Sequence, residues 1–552
     1  MRPALRPAIR AVAAIGAIAA IVAMIAAVTV PGAAAVPPPK IDPGRVPVDG
    51  VPGPDQPMRQ SNLCARTITV ADPDVAQPAP GSAMLDITRA WDYSTGNGVP
   101  VAVIDTGVNP SPRLPVVSGG DYITGGDGLS DCDAHGTIVA AVIAAAPQGR
   151  PGPRPRPPSP AFPAPAGVPV VAGEPPPLGP PAPPAPPPPP PTVTVTVPPP
   201  GPPAPPDDRP AHGRGPLAAD TPDDPEVPPP APDAPDGVAG VAPHAVIIAI
   251  RQSSRAYEPE HPLPGDAAAR RKAGTVATLA RAIVHAADLG AKVINISVTA
   301  CTAAAAPLDQ GDLGAAAWYA ATVKDAVIVA AAGNDGDEDC AQNPLFDPLS
   351  ADDPRDWREV KTVSSPSWFT DYVLSVAAVD TTGAPLIRSL TGPWVGVAAP
   401  GVKVLGLSPQ TGGPVNAYPP VRPGEATQPF WGSSFSAAYV SGVAALVRAR
   451  FPGLSAHQVI NRIVATAHNP ARGVDNQVGA GLVDPVAALT FDVPAGPRLA
   501  PGARARLVDP GTPPAPGDHR ARHIAVGLAA TIAATGWLLG LLAHAGRSRR
   551  SP

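Results

Sequence analysis

The chain has 552 residues and a formal net charge of −5, with 15% charged, 44% hydrophobic and only 4% aromatic residues. That length allows one large core-forming domain with appendages. With no basic excess to hold a polyanion, nucleic-acid binding is not expected.

Arg2, Arg6 and Arg10 precede an apolar run at 11–30, and Ala33-Ala34-Ala35 follows as a small-residue cleavage signal. The pattern predicts a signal peptide over 1–35; the run is long for one, so an uncleaved anchor is the alternative. Residues 36–85 read as a polar N-terminal extension with a short strand at 67–71. The cysteines are Cys64, Cys132, Cys301 and Cys340. An even number in an exported chain favours two disulfides, and the sequence permits three pairings. Their spacing does not suit a metal site, and no metal or other cofactor is expected.

The first strong strand, 101–104, reads VAVI and stops at Asp105-Thr106-Gly107. Such an unbroken β-branched run suits a central parallel strand buried on both faces. His135-Gly136-Thr137 then opens an apolar segment that reads as a buried helix. Residues 147–235 break this order, since 39 of the 89 are proline. Proline lacks the amide donor that helices and sheets require, so the segment reads as an exposed, stiff insertion. Beyond it, strands at 246–250, 292–297, 326–331, 372–379 and 402–405 alternate with helices at 275–289, 312–324, 434–450 and 455–465. The domain at 86–494 is therefore expected to be α/β, a three-layer fold with a mostly parallel central sheet and helices on both faces. Ligands in such folds sit at the carboxyl ends of strands, where Asp105, Ser297 and Asn334 fall. A proline-rich linker at 495–523 leads to the apolar run 524–543, long enough to cross a bilayer once as a helix. Arg547, Arg549 and Arg550 in the tail 544–552 favour a cytoplasmic end. The expected placement is a single-pass membrane protein with its folded domain on the extracytoplasmic side.

The candidate chemistry is nucleophilic. In Gly432-Ser433-Ser434-Phe435-Ser436 a glycine loop runs into an apolar helix, placing a serine where backbone amides can stabilise an oxyanion. Taken alone, such a serine is as readily a helix N-cap, and the pattern does not separate the three hydroxyls. His135 is the strongest candidate base, and Asp105 can accept a hydrogen bond from its other ring nitrogen. Asn334, closing the strand that ends Ala331-Ala332-Gly333, can offer an amide donor across the cleft mouth.

Asp105-Thr106-Gly107, His135-Gly136-Thr137, Ala332-Gly333-Asn334 and the segment 432–442, in that order, resemble the signatures of subtilisin-like serine proteases. The resemblance covers residues 90–490 without the insertion. It implies catalytic Asp105, His135 and Ser434, with Asn334 in the oxyanion hole. Ser433 stands where threonine is usual in the family, and Ala438 where proline is usual. Ser297-Val298-Thr299 would form the substrate edge, and Thr299, where the family commonly has glycine, would narrow the adjacent pocket.

The finer resemblance is to the mycosins, membrane-anchored subtilisin-like proteases of mycobacterial type VII secretion systems. It implies the pairings Cys64–Cys132 and Cys301–Cys340, an extension wrapped on the domain, and a type VII secretion membrane complex as partner. The implied activity is endopeptidase cleavage of selected secreted proteins through an acyl-enzyme. The alternative is a mainly structural stabiliser of that complex with little or highly selective proteolysis.

Overall fold

The computed structural model describes residues 39–150, 152–156, 226–261 apart from 232, 273–501 apart from 306–308, 338, 346–352, 354, 421, 423–424 and 472, and 535–540 apart from 538. The expected signal peptide, most of the proline-rich insertion and most of the expected membrane span lie outside them. Two compact units are present, Met1–Ala500 and Pro501–Pro552.

The first unit is built on a seven-stranded sheet: β1 Pro100–Asp105, β2 Val116–Asp121, β3 Val246–Arg251, β4 Val293–Ile296, β5 Val327–Ala331, β6 Val373–Val379 and β7 Val395–Pro400. Every neighbouring pair is parallel, in the order β7-β6-β5-β4-β1-β3-β2. The chain thus fills one side of β1 and then turns to the other, which opens a crevice at the carboxyl ends of β1 and β4. Ile104, Ile296 and Ala330 stand side by side across β1, β4 and β5. The residues that follow, Asp105 and Ser297 among them, therefore emerge along one edge.

Burial on both faces explains the apolar strands. Val101, Val103, Ile247, Ala249, Val293 and Val329 join one cluster with helices α1 (His135–Ala144) and α4 (Ser433–Arg450). The intervening Ala102, Ile104, Ile248, Ile250 and Ile294 are also buried, on the side where α2 (Val276–Asp288) touches β1, β3 and β4. Helix α3 (Gly311–Trp318) packs beside α2 and runs on into a π-turn at Tyr319–Val323, and α5 (Ala456–Ala465) follows α4. This is the three-layer α/β arrangement that the sequence implies.

Three stretches differ from expectation. No strand forms at 402–405; the last strand of the sheet is β7, a few residues earlier. Lys403 adopts a left-handed backbone (φ 51°), and the packing of Gly401 against Ala378 and Ser436 turns the chain out of the sheet. β2 went unread because Gly119 and Gly120 interrupt its apolar pattern. The short strand expected at 67–71 is reduced to single bridges from Ile68 to Ala417 and from Val70 to Glu226.

The N-terminal extension lies along the domain. Arg45 reaches Asp309 and Asp312, Asp49 pairs with His285, and Asp55 with Arg281. Met58–Gln60 pairs antiparallel with Tyr257–Pro259, and Cys64 is joined to Cys132. The second disulfide joins Cys301 to Cys340.

The insertion leaves and re-enters the domain at one point. Arg113 donates to the Ala146 carbonyl at 2.9 Å, to both Asp236 carboxylate oxygens at 2.7 and 3.0 Å, and to the Val238 carbonyl at 2.6 Å. The Asp236 side chain is only 1% exposed. Arg113→Met would leave that carboxylate buried without its cation, so unfolding in urea should show a loss of about 3–5 kcal/mol. A midpoint unchanged from the parent would contradict this account of the stem.

In the second unit, residues 535–537 and 539–540 are helical. Among the described residues no helix is long and apolar enough to cross a membrane. The expected span at 524–543 falls mostly outside them.

Candidate active site

Asp105 ends β1 fully buried, and its Oδ1 lies 2.7 Å from His135 Nδ1. An ionised carboxylate only accepts, so Nδ1 carries the proton and Nε2 keeps its lone pair. The Thr106 N–H donates to the same Oδ1 at 2.7 Å. Two features bring the histidine there. Ala134 takes a left-handed backbone (φ 65°), and α1 starts at His135 itself. Gly136 then passes so close to the Gly107 carbonyl that a Cβ would lie 2.1 Å from that oxygen. Only glycine permits this approach.

The imidazole side chain is 27% exposed, enough to reach an incoming group. Burial pulls its pKa down, but the Asp105 charge and hydrogen bond outweigh that effect and leave it raised above the ordinary value. Its other neighbour is the Phe435 ring, with centroids 5.3 Å apart. The residue before Phe435 is Ser434, so the first turn of α4 that carries the serine packs against the histidine ring.

The structure distinguishes the three serines. Ser433 is fully buried; its Oγ donates to the Gly333 carbonyl at 3.0 Å and accepts from the Gly333 N–H at 3.2 Å. Ser436 is fully buried and donates to the Pro400 carbonyl at 3.2 Å. Ser434 retains 8% exposure, and its Oγ donates to the Ser297 carbonyl at 3.0 Å. Its hydroxyl is thus engaged with the end of β4.

Asn334 follows Gly333, whose φ of 104° closes the loop after β5. Its Oδ1 accepts the Ser433 N–H at 3.0 Å. Because that backbone group can only donate, the oxygen must face it, which turns Nδ2 the other way. Nδ2 donates to Asp337 Oδ2 at 3.0 Å, leaving its second N–H for another acceptor. Ser434 lies in the first turn of α4, where backbone N–H groups lack intrahelical acceptors.

Ser297, Val298 and Thr299 follow β4 directly. Ser297 is buried and its Oγ donates to the Ser434 carbonyl at 3.1 Å, while Val298 and Thr299 are half-buried. The Cys301–Cys340 bond links the segment after this edge to the loop carrying Asn334 and Asp337. Among the described residues, no group of three or more His, Cys, Asp or Glu side chains could hold a metal ion.

A sequence profile of the subtilase family matches residues 196–481, a stretch that includes Asn334 and Ser434. Asp105 and His135 precede it and are brought to the same place by the fold. Mycosin-2 of Mycobacterium tuberculosis is 63% identical over 96% of this chain and 96% of its own length. The chain belongs to the subtilase family, in its mycosin branch. It is a subtilisin-like serine endopeptidase. The structure of a serine protease MycP1, an essential component of the type VII (ESX-1) secretion system, is 41% identical to this mycosin, covering 83% of this chain and 100% of that one with a TM-score of 0.63. A chain in the structure of an intact ESX-5 inner membrane complex is 45% identical, covering 92% and 99%, with a TM-score of 0.65.

Sequence reasoning passed over two residues of the site. Asp337 holds the Asn334 amide, and Asp131 ties Thr106 to Thr137. The signal available for Asp131 was a carboxylate just before the histidine motif, with a threonine after each of Asp105 and His135 to bind it.

Proposed function

We propose that Ser434 is the nucleophile, His135 the general base and Asp105 the group that orients it, acting on peptides laid along Ser297–Thr299. The 2.7 Å contact between Asp105 and a histidine placed beside the serine's helix carries this reading. Ser434 Oγ releases the Ser297 carbonyl, turns to Nε2 and attacks the peptide carbonyl carbon. The new O–C bond forms as the proton passes to Nε2. The carbonyl electron pair moves onto oxygen, where the second Asn334 N–H and the Ser434 N–H receive it. The imidazolium returns its proton to the departing amine as the C–N bond breaks, and water later reverses these roles at the acyl-enzyme. Thr299 narrows the pocket beside the edge, which restricts the side chains accepted.

The same reading places the chain at a type VII secretion membrane complex, supported by the relatives found in such systems. The sequence supports a signal peptide at 1–35 and one membrane span at 524–543, with the peptidase unit on the extracytoplasmic side. Presence of a relative within an intact inner membrane complex also favours a second, structural contribution to that assembly.

A fluorophosphonate reagent tests the nucleophile without a known substrate. Ser434 Oγ forms the O–P bond, fluoride leaves and the proton passes to His135. The parent protein should label at Ser434 and the Ser434→Ala protein should not. A folded parent that stays unlabelled would remove the reading.

A further inference from the structure

Asp131 lies outside the Asp105–His135 pair and outside the serine loop, and is buried beside the pair at 4% exposure. Its Oδ1 accepts from Thr106 Oγ1 at 2.8 Å and from the Asp133 N–H at 3.1 Å. Its Oδ2 accepts from the Thr137 N–H at 2.8 Å and from Thr137 Oγ1 at 2.7 Å. Thr106 directly follows Asp105, and Thr137 belongs to the first turn of the helix that begins with His135. Thr106 Oγ1 in turn accepts the Gly136 N–H at 2.9 Å.

We propose that Asp131 is a positioning residue for the peptidase reaction, fixing the end of β1 to the start of α1 at the separation where Asp105 reaches His135. The inference rests on the Ser434 reading above.

The chemistry requires an ionised carboxylate. The N-cap of α1 is Ala134, which has no side-chain acceptor for the helix amides. Asp131 supplies that acceptor from outside, with its negative charge at the positive end of the helix. A carboxylate offers about four lone-pair sites, and the bonds to Thr106, Asp133 and Thr137 use that capacity. An asparagine has a single oxygen and two N–H donors, so it can serve the strand side or the helix side but not both. The loop closes on itself as well: the Asp131 N–H donates to Asn109 Oδ1 at 2.7 Å, and the Asn109 N–H donates to Thr137 Oγ1 at 3.1 Å.

Burial pushes the Asp131 pKa up to about 6, against the pull of its hydrogen bonds from Thr137 and Thr106. The charged and titratable groups around it are Asp105, Asp133, His135, Arg255 and Tyr418. Lowering the pH through that range places a proton on a group whose oxygens are all needed as acceptors. The acid loss of activity therefore combines two protonations, at His135 and at Asp131.

The rate of Ser434 labelling by a fluorophosphonate, followed on the full chain from about pH 5 to pH 8, reads this directly. The parent should lose rate with an acid limb steeper than one proton. Asp131→Asn should label about 10–100-fold more slowly, because small displacements of reacting groups carry penalties of that order. Its acid limb should fall with a one-proton slope. Thr106→Val should be about 10-fold slower and Thr106→Ser should recover the parent rate to within about 2-fold, since the hydroxyl is restored. This second pair decides the matter if Asp131→Asn does not fold. Parent-like rate and slope in Asp131→Asn, or equal rates in the two Thr106 proteins, would overturn the inference while leaving Ser434 as nucleophile. An unlabelled parent would instead remove the peptidase reading beneath it.

Discussion

Peptide turnover by the Ser434→Ala protein is expected to fall by about 10⁴–10⁶-fold, the scale known for subtilisin, the type member of this family. Ser433→Ala should instead retain most of its activity. Ser433 Oγ is committed to both backbone groups of Gly333 and contacts Asn334 Oδ1 at 3.2 Å, so removing it loosens the oxyanion loop but leaves the attacking group in place. A drop of about 10-fold is the expected scale for that loosening. Cleavage of a diverse quenched-peptide library by the two proteins makes the comparison without a known substrate. If Ser433→Ala were silent and Ser434→Ala active, the assignment would be reversed. The same Ser434→Ala protein separates hydrolysis from assembly: an intact secretion complex containing it would show that any structural contribution does not depend on the hydroxyl.

Asp105→Asn should lower turnover by about 10⁴-fold. The amide is close in size to the carboxylate, so the loss comes from hydrogen-bond direction rather than from a cavity. An asparagine that presents its N–H₂ to the ring favours a proton on Nε2, the nitrogen that must take one from Ser434. It also removes the charge that stabilises the imidazolium. The pH profile should move with it. In the parent, His135 has a pKa raised above its ordinary value, so the neutral base is lost at a correspondingly higher pH. Without the Asp105 charge and hydrogen bond, burial dominates and pulls that pKa down, so the acid limb should shift to lower pH. Turnover against pH with a single peptide measures both effects. An unmoved acid limb would mean that Asp105 does not set the protonation of the ring.

The sheet was legible in the sequence where strands are buried on both faces, because VAVI in β1 and VIVAA in β5 admit few other readings. It was less legible at β2, an edge strand whose half-buried, glycine-containing pattern resembles a loop. The strand forms at 395–400 rather than at 402–405, where Gly401 and Lys403 bend the chain. Asp105 and His135 could be recognised because each stands at the joint between a strand or loop and a short glycine-containing motif. Ser434 could not be separated from Ser433 by pattern, since two adjacent hydroxyls at a helix start differ only in what they touch once folded. Asp131 acts across the fold on Thr106, 25 residues away, as well as on Thr137, whereas Asp337 holds Asn334 from only three residues further along the same loop.

The stem held by Arg113 has a further consequence. Gly149 and Pro235 are in contact, and Gln148 Nε2 donates to the Ala234 carbonyl at 3.1 Å, so the chain departs and returns through one narrow gate. The returning chain is also held just outside that gate, where Glu226 bridges to Val70 and the Val227 N–H donates to the Thr69 carbonyl at 2.9 Å. Because both ends of the intervening stretch are fixed on the domain, residues added within it need not move either end. The stretch between these anchors, rather than the stem itself, is therefore where the chain can gain sequence at little cost to the domain.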